Sequence, residues 1–426
     1  MAVPPDRSPE PVRRFASFTA DLHALADWLQ ACRIETVVME STGVYWIPLF
    51  QILEARGVEV HLVNARHAKN LPGRKTDLAD CQWLQKLHTF GLLNRSFRPT
   101  DDICVLRSYL RQRETLISAA ATCIQHMQKA LTEMNVQLAN VISDISGVTG
   151  LAMIRALLAG ERDPTKLAAL KDYRIKASTH TIAKSLEGNW RDELLFNLRQ
   201  SLELYECYQQ KIAECDIRIA AHLHPFDSKI EIPDHPLPAP TRRPKKARRH
   251  EPKFDLHTQL YRISGVDLTR IDGIEVLTAQ TLISEIGLDM SRWKTDKHFA
   301  SWLGLCPDNQ MSGGKVLARG TRPVVHRAAD ALRLAAQNLL HSQSALGANY
   351  RRLRARLGAP KAITAMAHKL ARLVYRMLKF GQQYVDKGMA HYEARFRQQR
   401  LQWLQRQARE LNLQLVPNQP VRSAVS

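Results

Sequence analysis

Residues 34–63, IETVVMESTGVYWIPLFQILEARGVEVHLV, decide the fold. Residues 34–39 are a short, almost continuous apolar run that reads as a buried strand, and residues 58–63 (VEVHLV) read as the next. Between them Ser41-Thr42-Gly43 makes a turn, Trp46, Phe50 and Leu53 recur at helical spacing, and Gly57 stops the helix. Strand, helix of about three turns, strand is a crossover unit whose two strands are parallel neighbours. Upstream, Leu22, Leu25, Ala26 and Leu29 mark one face of a helix and residues 12–15 read as a strand, so residues 12–98 are α/β in character.

Downstream the pattern turns helical. Residues 102–145 and 190–223 are rich in Leu, Ala, Gln, Glu and Arg, and Leu116, Ala120, Ile124, Met127, Leu131, Met134 and Leu138 build one apolar stripe. Such stripes need a partner, so a paired or coiled-coil arrangement is expected, within one chain or between chains. Residues 226–254 hold six prolines and the run Arg242, Arg243, Lys245, Lys246, Arg248, Arg249, too little apolar surface to fold. That stretch reads as a flexible basic linker, either a solvated tether or an arm that tracks a nucleic-acid backbone. Residues 256–388 read as mostly helical, and residues 391–413 as a last helix with Arg and Gln on its outer positions. The expected division is an α/β domain over 1–100, a long helical region over 101–225, the linker over 226–255, a helical domain over 256–388, and a basic helix and tail over 389–426.

Composition narrows the function classes. The 426 residues are 45% apolar, enough for two or three packed domains, and the mean hydropathy is −0.30. The longest apolar runs are interrupted by Arg, His, Asp or Gln well short of the roughly 18 residues a membrane span requires, and residues 1–11 hold no apolar core of a signal peptide. A cytoplasmic protein without membrane contact is therefore expected. Seven cysteines without a C-x-x-C pair read as reduced thiols, not as a disulfide framework or a zinc site. Lys and Arg number 61 against 41 Asp and Glu, a formal charge of +20 that favours a polyanionic partner, nucleic acid above all.

Two segments are alike: residues 145–160 (ISGVTGLAMIRALLAG) and residues 271–287 (IDGIEVLTAQTLISEIG). Each sets an apolar residue, a spacer, Gly and another apolar residue before a helix, a turn whose free N–H groups can accept a phosphate. Both resemble helix-hairpin-helix elements, and either also reads as an ordinary tight interhelical turn. Gly147 and Gly150 make the first the better match; in the second, Glu275 replaces a glycine and Asp272 adds a negative charge.

The chemistry lies in the α/β part. Glu40 closes a buried strand at its carboxyl end, where open α/β sheets place their ligands. Asp77 and Asp80, in GRKTDLADCQWLQKL, start a helix and project from one face, with Cβ atoms about 5–6 Å apart. Such carboxylates suit Mg²⁺ and substrate phosphate oxygens. The same residues at a helix start also read as caps or dipole partners. Arg74 and Lys75, just before them, are placed to hold a nucleic-acid strand.

Three blocks in order, VVMESTGVYWIPLF (37–50), HLVNARHAKNLPGRKTDLADCQWLQ (61–85) and FASWLGLCPDNQMSGGKV (299–316), resemble the signature blocks of insertion-sequence transposases related to the Piv invertase, which carry an N-terminal RuvC-like DEDD domain and a C-terminal domain bearing a serine. The resemblance runs from about residue 12 to residue 388. It implies an RNase H-like fold for the first domain, four acidic residues that bind Mg²⁺, and Glu40, Asp77 and Asp80 as the second, third and fourth of them. It implies that Ser312, in MSGGK, is a nucleophile that links covalently to DNA; Lys315, read from its place beside the glycine pair, is positioned to steady the phosphate. Read from its residues alone, Ser-Gly-Gly is a flexible turn with no His fixed nearby as a base. The family also works as a homo-oligomer, a dimer or tetramer, guided by a structured bridge RNA from its own element.

One departure stands beside these matches. The family's first Asp lies on an opening strand followed by a hairpin, and this chain begins MAVPPDRSPEPVRRF, which reads as the end of that hairpin. Asp6, between prolines, is a poor substitute. The expectation is a RuvC-like domain without its first strand, either because the start lies further upstream or because the copy is truncated. The functional expectation is a DNA transposase that cuts and rejoins strands; the alternatives are a catalytically defective remnant that only binds nucleic acid, and a nuclease that only cleaves.

Overall fold

The computed structural model describes residues 1–41, 43–64, 76–230, 237, 250–318, 320–322, 324 and 326–416. It divides into two compact units, Met1–Arg98 and Pro99–Ser426. None of its described helices is long and apolar enough to cross a membrane.

The first unit is the crossover expected from residues 34–63. Strand β1 (Thr36–Glu40) pairs in parallel with β2 (Glu59–Val63), in register from Thr36 opposite Glu59 to Glu40 opposite Val63. Helix α2 (Trp46–Ala55) joins them, and Gly57, at φ +77°, turns the chain back as few residues other than glycine do readily. Helix α1 (Thr19–Ala31) buries Leu25, Ala26, Trp28 and Leu29 in a core shared with Val37, Met39, Phe50, Leu53 and Leu62. Alternate residues of a strand bond to opposite neighbours. Glu59 N–H donates to Glu35 O on the β1 side, while Leu62 O accepts from Ser96 N–H on the other edge at 2.6 Å.

Residues 12–15 are a correction to the expected strand. Met1 and Val3 bond to Arg13 and Pro11, and Ala2 forms a single antiparallel bridge with Val12. The prolines at 4, 5, 9 and 11 withhold the N–H donors that a longer ladder needs. Val3 nonetheless enters the core, 3% exposed. Helix α3 (Asp77–Thr89) starts where the sequence sets it, with Thr76 as N-cap.

The second unit is built on two long helices, α4 (Asp101–Glu133) and α8 (Asp192–Leu223), which pack along their lengths within the chain. Their stripes close over α5 (Val148–Leu158), α6 (Pro164–Ala169) and α7 (Thr179–Ser185) to give a core that includes Met127, Leu131, Met153, Leu157, Ile182, Leu198 and Leu202. The apolar stripe runs on through Met134 and Leu138, but the helix does not: it ends at Glu133, and Asn135 takes φ +58°. Asparagine tolerates the left-handed region better than most residues, so the break needs no glycine.

The helices that follow are α9 (Leu256–Ser264), α10 (Val276–Ile286), α11 (Asp296–Trp302), α12 (Arg327–Asn338), α13 (Ala345–Leu357), α14 (Ala359–Phe380) and α15 (Gly388–Glu410). Helix α14 is central, burying Ala362, Met366, Ala367, Leu370, Ala371 and Val374 against α11, α12 and α13. Tyr375 OH donates to Trp293 O at 2.6 Å, beside the rings of Phe299 and Trp302. An antiparallel hairpin of β3 (Gln310–Ser312) and β4 (Lys315–Ala318) interrupts the helical order that the sequence suggests.

The chain is held on both sides of the proline-rich segment. Arg262 donates to the carbonyls of Leu223, His224 and Phe226 and to Ser228 Oγ, and its own carbonyl accepts from Lys229 N–H. On the far side His250 O accepts from Arg113, and Lys253 N–H donates to Asp216.

Candidate functional site

Glu40 is the last residue of β1 and is half-buried. Ser41 follows, with both its N–H and its Oγ donating to Val63 O, at 3.0 and 3.1 Å, so the end of the strand is fixed twice. Val37 and Met39 point into the core; by the two-residue period Thr36, Val38 and Glu40 share the other face. Helix α3 is tied to that face: Thr36 Oγ1 and His88 Nε2 lie 2.9 Å apart. His88 stands near the carboxyl end of α3, and Asp77 and Asp80 occupy its first turn.

Thr76 Oγ1 accepts from Ala79 N–H at 3.2 Å, so the capping role belongs to Thr76. Asp77 and Asp80 lie inside the helix and are exposed. As acidic residues in the first turn they complement the helix dipole, and as exposed oxygen donors one turn apart they suit a hard cation. Among the described residues, no three His, Cys, Asp or Glu side chains are gathered closely enough to hold a metal ion, so the structure does not bring Glu40, Asp77 and Asp80 to one point.

Two histidines that sequence reasoning passed over organise this region. The His61 ring meets that of His88 edge to face at 4.9 Å. Burial, then the Arg95 charge, pushes both below the usual imidazole range, which favours the uncharged form of two rings that pack as an aromatic wedge between β2 and α3. Only their spacing in sequence, 27 positions apart, hides the pair: no local pattern links them.

Ser312 ends β3 at the tip of the hairpin. Gly313 and Gly314 take φ +54° and +76°, the two positive values that a two-residue primed turn requires. Ser312 pairs with Lys315 across the strands, and Met311 with Val316. Between Gln310 opposite Ala318 and Met311 opposite Val316 the register slips, which leaves Leu317 as a bulge. Ser312 and Lys315 are exposed, and a Cβ built on either glycine would meet nothing within 4 Å. Nearby, Asp308 N–H donates to Gly320 O at 2.8 Å and closes the base of the hairpin. The alternating QMSGGKV stretch carries this hairpin signal.

Of the expected nucleic-acid contacts, Arg74, Lys75, Arg242, Arg243, Lys245, Lys246, Arg248 and Arg249 lie outside the described residues. Several basic side chains of the helical domain hold structure instead. Arg372 and Arg376 pair with Asp296 at 2.9 and 3.0 Å, Arg351 donates to the carbonyls of Leu340 and Ser342, and Arg352 lies over the Phe396 ring, 3.4 Å from its centroid. Arg354 and Arg356 stay exposed on α13.

The two glycine turns serve packing. A Cβ on Gly150 would meet Ile145 O at 2.2 Å, and one on Gly273 would meet Ala335 O at 2.5 Å. Asp272 accepts from both Ser342 and Ser344, which accounts for a carboxylate in a turn whose sequence resembles a phosphate-binding one.

Comparison with known families agrees with this picture. Residues 9–136 match the IS110-type DEDD model described as Transposase, and residues 267–351 match the model described as Transposase IS116/IS110/IS902 family. Glu40, Asp77 and Asp80 fall within the first match and the Ser312 hairpin within the second; together the two matches cover half of the chain. No curated protein matches the chain.

Proposed function

The chain belongs to the IS110-type transposases, and on that premise we propose that it cuts and rejoins DNA with Mg²⁺-binding carboxylates in an RNase H-like domain and with Ser312 as nucleophile. The observation that carries the carboxylate part is the placement of Asp77 and Asp80 inside α3, behind a cap that Thr76 already provides. Their donor chemistry fits a hard divalent cation, with Glu40 as third ligand. Helix α3 is anchored by its far end to the β1 face that also bears Glu40. From His88 back to Asp80 is about 12 Å of helix, and from Thr36 to Glu40 about 13 Å of strand. A metal ion would have to draw the three carboxylates together, since the described residues do not gather them at one point. A bound Mg²⁺ would neutralise charge on the phosphoryl oxygens. The three carboxylates would orient it, and Arg74 and Lys75 would hold the strand.

Ser312 supports the second half of the reading by its setting. It stands at the tip of an exposed hairpin with Lys315 directly across from it, so a phosphodiester can approach the hydroxyl and meet a cation at once. Attack of Ser312 Oγ on phosphorus would break a phosphorus–oxygen bond to a deoxyribose, and the serine proton would pass to the departing hydroxyl. The reverse attack by a hydroxyl of the second strand would restore Ser312 and join the ends. The +20 charge fits both DNA and a structured guide RNA, and a homo-oligomer belongs to the same proposal.

The test is recombination by the purified chain on DNA carrying the ends of its own insertion sequence, with and without RNA transcribed from that element. Joined product should form with Mg²⁺ and the RNA. Affinity for the DNA should fall steeply between 50 and 200 mM salt, as counterion release requires. Salt-independent binding, or no joined product in any combination, would overturn the reading.

A further inference from the structure

Tyr173 is 90% exposed, and the loop that carries it is tightly built. The loop joins α6 to α7. Asp172 organises it: its Oδ1 accepts from Arg174 N–H at 3.0 Å and from Arg174 Nε at 2.8 Å, its Oδ2 from Arg174 Nη2 at 3.0 Å, and its carbonyl from Ile175 N–H at 3.1 Å. Lys171 Nζ spans the loop to Ala177 O at 2.5 Å, and Ile175 and Ala177 pack on the core of the long-helix pair. Asp172 N–H also donates to Thr149 Oγ1 at 3.1 Å, which ties the loop to the start of α5 beside Val148, itself 78% exposed. A loop held at so many points presents the ring at Tyr173 in one place with little entropy left to lose.

The loop that carries the ring is basic, with Lys171, Arg174 and Lys176 against Asp172. The Arg174 guanidinium lies 5.7 Å from the ring centroid, Lys176 is exposed on the same loop, and Lys184 is exposed in the last turn of α7. The carboxylate of Asp172 is already engaged by Arg174. An exposed aromatic face on a loop that also carries Lys171, Arg174 and Lys176 is complementary to a base with its phosphates, and poorly suited to an apolar protein face, which would have to desolvate those charges.

We propose that Tyr173 is a stacking platform for an unpaired nucleotide of a bound nucleic acid, with Lys176 of the same loop and Lys184 of α7 as its phosphate contacts. Only an unstacked base exposes a face to the ring, so the platform selects single-stranded segments over a continuous duplex. The proposal deepens the nucleic-acid reading above and rests on it. The glycine turn at the start of α5 contributes position alone.

The experiment measures binding of a fluorescent 12-nucleotide thymidine strand, the same strand with abasic sites, and a 12-base-pair duplex. The full chain is compared with Tyr173→Ala, Tyr173→Phe and the double variant Lys176→Gln, Lys184→Gln. The wild type should prefer the base-bearing strand to the abasic one. Tyr173→Ala should weaken base-bearing binding about tenfold and erase that preference, while Tyr173→Phe keeps it. The lysine double variant should weaken base-bearing and abasic strands alike. Binding to all three probes with no effect of Tyr173→Ala would overturn the platform and leave the nucleic-acid reading standing; no binding to any probe would overturn both. A Tyr173→Ala variant that changes the sedimentation coefficient of the free protein and not its binding would show a protein interface instead.

Discussion

Arg113 Nε donates to Asp216 Oδ1 at 2.6 Å between the two long helices, with side chains only 7% and 6% exposed. The same pair fastens the chain after the proline-rich segment, through His250 O on Arg113 and Lys253 N–H on Asp216. Removing one partner of such a pair leaves a buried charge without its counter-ion. Asp216→Ala should therefore lower stability by about 3–5 kcal/mol. Replacing both members by Met and Leu should recover much of the loss, because the desolvation penalty goes with the charges. Urea unfolding followed by circular dichroism measures both, and equal losses in the single and double variants would contradict the account.

Glu40→Gln, Asp77→Asn and Asp80→Asn each remove a charge at nearly constant shape. Strand joining should fall by roughly a hundredfold or more in each, with unchanged near-ultraviolet dichroism. Titration calorimetry separates ligand from bystander: Mg²⁺ binding that survives Asp80→Asn unaltered would remove Asp80 from the metal set.

Ser312→Ala should abolish a denaturation-resistant protein–DNA adduct that the unaltered chain forms on its own element ends. The hairpin should remain folded, since its turn depends on Gly313 and Gly314 and not on the serine. Gel mobility after detergent denaturation reads the result. An adduct that persists in the variant would exclude Ser312 as the nucleophile.

His257 Nε2 and Asp267 Oδ1 are 2.9 Å apart, with Thr269 Oγ1 on the same carboxylate oxygen at 2.6 Å. The bond to Asp267 raises His257 above its usual 6.5, against the opposing effect of burial. Burial pushes Asp267 up, but the bonds from His257 and Thr269 together hold it below its usual value. A raised imidazole gives stability that is fully present below pH 6.5 and lost as pH rises through the higher folded value. The difference in melting temperature between the wild type and His257→Gln should thus be largest near pH 6 and shrink toward pH 9. A difference that grows with pH would reverse the sign and refute the pairing.

The crossover of unit one was readable because β1 is an unbroken apolar run, α2 keeps its spacing and Gly57 marks the return. The pairing of α4 and α8 was readable for a like reason. The end of α4 was not, since Met134 and Leu138 continue the apolar period across a break that Asn135 makes by its backbone angle. Arg113 and Asp216 look like solvated positions until a residue about a hundred places away supplies the partner. At the candidate site, Asp77 and Asp80 were found by spacing, but Thr76 as the cap and the His61–His88 wedge come from contacts that only the fold creates. Asp272, which looks ill-suited to its turn, answers two serines some seventy residues away.

The fastenings at Arg262 and at the Arg113–Asp216 pair mean that the chain leaves and re-enters the helical unit at fixed points about twenty residues apart. Each fastening secures its own end of the helical unit, so the two are independent seams. Unpicking one of them, at Arg262 or at Asp216, leaves the other stitched, so the unit loses its hold on the chain one side at a time.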